Sequence, residues 1–201
     1  MRISSKSSYH HGDLRHALIE AALVSIMEGH ADFTLRSIAR RAGVSHAAPY
    51  NHFKDKNELL SEVVAAGFDK LREALEGGDF DFSNPKAVFL ARWRIFLNFA
   101  TANPQLYRLM IGPVQEKAEY PPLEKAARAF YNLLLDDLEM FSRQGFFKHE
   151  DVEGHAVIVS SQLHGLAMLA IDGRLREHGE DLDKLAENSI DVILRGMKVI
   201  T

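Results

Sequence analysis

The run TLRSIARRAGVSHAAPYNHFKDK, residues 34 to 56, leaves this chain the least freedom, because it sets two helical segments close together around a single glycine. Thr34 offers a hydroxyl cap to the first segment. Leu35, Ile38 and Ala42 then share an apolar face, while Arg36, Arg40 and Arg41 turn toward solvent. Gly43 supplies the left-handed residue that ends this helix. Val44 packs into the angle, Ser45 offers a second cap, and Ala39 is small enough for the two helices to cross closely. The second helix is expected from Ser45 to about Asn51. Pro49 falls one turn in, where it lacks an N–H and crowds a carbonyl, so a short or distorted first turn is expected.

The side chains on this second segment suit a nucleic-acid duplex. Ser45, His46, Ala47, Tyr50 and Asn51 are short or aromatic groups able to meet base edges, thymine methyls and phosphates. His52, Lys54 and Lys56 follow at once and can reach the phosphate backbone, with Thr34 and Arg36 contributing from the first helix. Phe53 is expected to anchor the pair to the core. Each basic residue alone reads as a solvated helix face. The cap, glycine turn, second cap and basic exit together favour a helix-turn-helix that binds double-stranded DNA.

VSHAAPYNHFKDKNELL, residues 44 to 60, resembles the recognition helix and following turn of the TetR family of bacterial transcriptional regulators. The family pattern is carried by Val44, Ser45, Tyr50, His52, Phe53, Lys56, Glu58, Leu59 and Leu60, and it departs at Pro49, where many members hold an aliphatic residue. YHHGDLR, from Tyr9, resembles the segment leading into the first helix of one subgroup. LHGLAML, from Leu163, resembles the Trp-His-Gly signature of one type of C-terminal domain, with Leu163 in the Trp place. The resemblance implies an all-helical regulator with an effector pocket in its C-terminal half.

Charge divides along the chain in the same sense. The 201 residues carry a net charge of −4, yet residues 1–60 hold eight Lys or Arg against six Asp or Glu, leaving the remainder acidic. Six of the ten histidines also lie in that first part. His10 and His11 are adjacent and lack spaced companions, which favours phosphate or solvent contact over a metal. The absence of cysteine excludes disulfide and thiol chemistry and fits a cytoplasmic protein. No apolar run reaches about 18 residues, and the polar start MRISSKSSYHHGD lacks a signal-peptide segment, so no membrane partner is expected.

Taken in order, residues 1–8 form a polar arm with Arg2 and Lys6, read either as a frayed end or as a DNA-tracking tail. Gly12 to Gly29 is an amphipathic helix that packs under the reading pair. A long helix from near Asn57 to Gly77-Gly78 joins two parts: residues 1–56, expected to bind DNA, and residues 57–201, expected to bind an effector and to dimerise. Beyond Asn84-Pro85 helical periodicity continues without strand alternation: Pro85 to Ala102, a short helix from Asn103-Pro104, Pro122 to Arg143, His149 to Glu177, and Asp183 to Ile200. The expected fold is all-α, with about nine helices.

The second half is rich in aromatics. Most are core, and the subset Trp93, Phe96, Phe99, Tyr107, Phe130 and Tyr131, with His164 and Met168, is expected to line a pocket for a mostly apolar small molecule. Ser160, His164 and Asp172 share one helical face and invite a hydrolase triad. No nucleophile elbow or oxyanion hole accompanies them, so no catalytic residue and no cofactor are expected. HEDVEGH puts His149 and Glu153 one turn apart beside His155. Stabilisation of a helix N-terminus by Glu150, Asp151 and Glu153 explains that run better than a metal. The last helices have broad apolar faces. Ser161, Gly165, Leu169, Ile190, Ile193 and Met197 are expected to pair with a second copy, giving a homodimer and a palindromic operator. The expected function is a ligand-responsive transcriptional regulator, a repressor, against the alternative of a helical small-molecule binding protein without specific DNA binding.

Overall fold

Capping side chains and prolines mark where several of the elements begin in the computed structural model, which describes residues 11–30, 33–112, 120–145, 147, 151–177 and 181–196. Nine α-helices and one 3-10 helix are present, and no strand occurs among the described residues. The first helix, α1, spans His11–Met27, and α2 spans Leu35–Arg41. A single 3-10 helix, Ala48–Asn51, comes next, then α3, Lys56–Glu76. Asp55 caps α3, its carboxylate accepting from the amides of Asn57 and Glu58. Proline opens each of the following three: α4, Pro85–Ala102, with Asn84 capping Ala87 N–H at 3.2 Å; α5, Pro104–Ile111; and α6, Pro121–Arg143.

The segment expected as one helix from His149 to Glu177 is broken. α7 spans Val152–Ile171, Gly173 turns at φ +74°, and α8 is the single turn Arg174–Glu177. A residue with positive φ cannot continue a right-handed helix, which is the reason for the break. The last helix, α9, spans Leu182–Gly196. The arm with Arg2 and Lys6, the Tyr9-His10 turn, His149, Glu150 and Met197 lie outside the described residues.

The core is built around α3, which packs against α1 on one side and against α6, α5 and α4 on others. Phe68 of α3 meets Phe130 of α6 with ring centres 5.6 Å apart, and Phe89 of α4 meets Phe141 of α6 edge-on at 5.4 Å. α7 lies on α4 and α6, and α9 closes against α4 and α7. Among the described residues α7 alone is long and apolar enough to cross a membrane. Its composition has a simpler cause: one face is buried in this core and another carries exposed aliphatic side chains.

Candidate nucleic-acid interface and effector cavity

The reading unit is held by backbone geometry on one side and by one buried ring on the other. Thr34 Oγ1 accepts from Ser37 N–H at 3.1 Å, and Ser37 Oγ accepts from Thr34 N–H at 3.0 Å, a reciprocal capping box. α2 ends in paired closing bonds, Gly43 N–H to Arg40 O and Val44 N–H to Ala39 O, with Gly43 at φ +70°. That is the Schellman arrangement, and no atom lies within 4 Å of where a Gly43 Cβ would stand. Only the backbone requires glycine there.

The second helix differs from expectation. The N-cap is Ala47 rather than Ser45, and the Ser45 carbonyl accepts from Ala48 N–H at 3.0 Å. The segment is a 3-10 turn rather than an α-helix from Ser45, since Pro49 at its second position has no N–H to give an α bond. Pro49 is buried, and its carbonyl takes both His52 and Phe53 N–H at 2.9 Å. Phe53 is 1% exposed beneath Arg15, whose guanidinium carbon stands 5.1 Å from the ring centre and whose Nη2 bonds Glu62 of α3 at 2.7 Å. The reading turn is thus clamped to α1 and α3.

Thr34, Arg36, Ser45, His46, Ala47, Tyr50, Asn51, Lys54 and Lys56 are all exposed, and His52 is half-buried. Tyr50 is 57% exposed, large for an aromatic ring. Lys56 Nζ sits 5.4 Å from the Phe33 ring centre, at the start of α3. Arg41 is tied to Glu28, which also accepts from His30 Nε2 at 3.0 Å, and Arg41 holds the Glu28 carboxyl below the usual range.

In the C-terminal half, an apolar cavity of about 90 Å³ is lined by Trp93, Phe96, Phe130 and Tyr131, four of the residues expected for a pocket. The other four lie off it. Phe99 and Met168 are half-buried against the core. Tyr107 Oη hydrogen-bonds His164 Nδ1 at 2.9 Å, with Tyr107 edge-on to Phe96 at 5.6 Å. Burial raises the Tyr107 phenol above its ordinary pKa. The side chains invited as a triad go to three different partners: Ser160 Oγ donates to Val157 O at 3.1 Å, His164 meets Tyr107, and Asp172 pairs with Arg108.

The sequence reading missed Arg92 and Asp137 in the cavity wall, along with Leu75, Phe89, Leu134 and Leu163. Two adjacent acids closing the apolar run of LLLDDL were the available signal. Arg92 pairs with Asp137, whose side chain is 5% exposed, and desolvation outweighs the arginine and pushes Asp137 up to about 6. Near the start of α7, the His155 ring lies 4.4 Å from that of Phe147, tilted by 51°.

A separate apolar surface runs along α7 and α9. Val157, Ile158 and Leu169 are 59%, 55% and 41% exposed, Val192 of α9 is 65% exposed, and Ser161 is exposed among them with Gly165 half-buried. Ile190 and Ile193, expected on a paired face, are 0% and 5% exposed instead. They fill the chain's own core where α9 meets α4 and α7, which leaves Val192 outward.

Residues 18–63 match the family described as bacterial regulatory proteins, tetR family, and residues 89–193 match the tetracyclin repressor-like C-terminal domain. The HTH-type transcriptional regulator BetI of Escherichia coli (strain K12) is 32% identical, over 62% of this chain and 79% of that protein. A protein of unknown function from Rhodococcus sp. RHA1 superposes with a TM-score of 0.81 at 31% identity, over 96% of this chain and 99% of that one. The fatty acid degradation regulator FadR of Bacillus halodurans shares the fold, with a TM-score of 0.67 at 15% identity over 96% and 97% of the two chains. With a capped helix, glycine turn and exposed reading turn joined to an all-helical C-terminal half, the chain belongs to the TetR family of bacterial DNA-binding transcriptional regulators.

Proposed function

We propose that the chain acts in the cytoplasm as a homodimeric repressor, released from a palindromic operator when a small molecule occupies the C-terminal cavity. In this reading residues 1–56 contact DNA, with Thr34, Arg36, Ser45, His46, Ala47, Tyr50, Asn51, His52, Lys54 and Lys56 facing the duplex. Residues 57–201 sense and pair. The supporting observation is that α3 belongs to both: its first turn follows the reading turn directly, and its length packs on α6, which supplies part of the cavity wall. A ligand that alters how α6 meets α3 therefore changes the tilt of the reader. It needs only to prefer the conformer that does not fit DNA.

Pairing is supported by the stripe of exposed Val157, Ile158, Ser161, Leu169 and Val192 with half-buried Gly165, whose apolar area no other element among the described residues covers. Two copies joined there are expected to set two readers about 34 Å apart on one DNA face. The test is a fluorescence-anisotropy titration on DNA flanking the gene, repeated across salt concentrations. Specific binding is expected, weakened at least tenfold by Tyr50→Ala. Lys56→Ala should lower the salt slope by about 1 without changing sequence preference. Absence of specific binding there and in a randomised pool would overturn the reading in favour of a helical carrier.

A further inference from the structure

Arg15 joins three elements around the reader. It stands near the start of α1, at the end of the run YHHGDLR, and its guanidinium carbon lies 5.1 Å from the Phe53 ring centre. The same guanidinium gives an N–H to Glu62 of α3 at 2.7 Å, a carboxylate only 17% exposed. A planar fork can rest its face on a ring while its edge bonds a carboxylate, which the single ammonium of lysine cannot do at once. Phe53 in turn closes the reading turn, its N–H returning to Pro49 O at 2.9 Å. Within the turn the backbone bonds reach only three residues back, Ala48 N–H to Ser45 O and Tyr50 N–H to Ala47 O. So short a 3-10 segment has little stiffness of its own. Its setting against α1 and α3 is therefore held through Phe53 and buried Pro49.

We propose that Arg15 is a positioning residue for base reading: it touches no DNA, and by holding Phe53 to Glu62 it sets the angle at which His46, Tyr50 and Asn51 meet the bases. This rests on the reading above that those three side chains face the duplex. Hydrogen bonds to base edges need close alignment, so a small rotation of the turn loses them. Attraction between lysines and phosphates tolerates the same rotation, because it depends chiefly on charge and distance. Arg15 accordingly governs the preference for the operator over other DNA, not the affinity for DNA in general. Its charge is taken up by Glu62, with Glu58 adding negative charge nearby, which leaves it a poor phosphate ligand.

The full chain is titrated by fluorescence anisotropy against its best duplex from a randomised pool and against a scrambled duplex of the same length, across salt concentrations. Arg15→Gln is expected to weaken binding to the selected duplex about tenfold, while the scrambled duplex and both salt slopes stay as in the native chain. Arg15→Lys should recover only part of that loss. Glu62→Gln should weaken the selected duplex as well, and the double variant should lose less than the product of the two single losses. Melting curves confirm that each variant is folded; should Arg15→Gln fail to fold, Arg15→Lys and Glu62→Gln carry the test. Unchanged preference in the folded variants would overturn the proposal, and a loss in Tyr50→Ala alongside would leave the reading turn standing. Equal weakening of both duplexes with a salt slope lower by about 1 would overturn it by making Arg15 a phosphate contact. Full recovery in Arg15→Lys would overturn it by showing that charge alone suffices. A native chain that prefers no duplex would overturn the proposal and the reader together.

Discussion

Gly43 shows how a single residue can be required by backbone alone. With nothing near its absent Cβ, Gly43→Ala should cost about 1 kcal/mol from the left-handed conformation itself, seen as a lower urea midpoint with an unchanged slope. This residue, the Thr34 cap and buried Phe53 were all legible in the sequence, because capping and turn chemistry are local. Pro49 was legible as a disturbance, but not in its outcome. Whether a proline one turn in kinks an α-helix or tightens it into a 3-10 turn depends on where its carbonyl bonds next, here to His52 and Phe53. Arg92 and Asp137 were not legible as a pair, since 45 residues separate two side chains that only the packing of α4 on α6 brings together.

Between elements, that pair is also where acid should be felt. Asp137 titrates near 6 when folded but in the ordinary carboxylate range when unfolded, so between those limits the native state holds more protons. Stability should therefore fall as pH rises from about 4 to 6 and then level off. Asp137→Asn should flatten that part of the profile, checked by urea denaturation at half-unit pH steps. At α9 the sequence failed for a different reason. Periodicity says that Ile190, Ile193 and Leu194 lie close together around the helix, but an isolated helix does not say whether that side faces its own chain or another. Contact with α4 and α7 decides it inward. The cavity aromatics divide in the same way: Phe96 and Phe130 line it, while Phe99, one turn from Phe96, turns off it.

For the whole molecule, the exposed stripe on α7 and α9 should decide assembly. Ile158→Asp, at a side chain already 55% exposed, should leave the fold of one chain intact, yield a monomer at micromolar concentration in light scattering, and weaken operator binding at least tenfold by removing the second reader. The brevity of the reading turn then sets how much of an operator can be spelled out. A 3-10 helix of four residues rises roughly 8 Å, little more than two base-pair steps. In the proposed complex this turn by itself spans only a short word of bases, the other contacts falling to Thr34, Arg36, Ser45, His46 and Ala47 before it and to His52, Lys54 and Lys56 after it. With two copies paired as proposed, the spacing between the two words and the bendability of the sequence between them add to the discrimination, so a selected pool of binding sites should show two small conserved islands around a centre enriched in flexible steps.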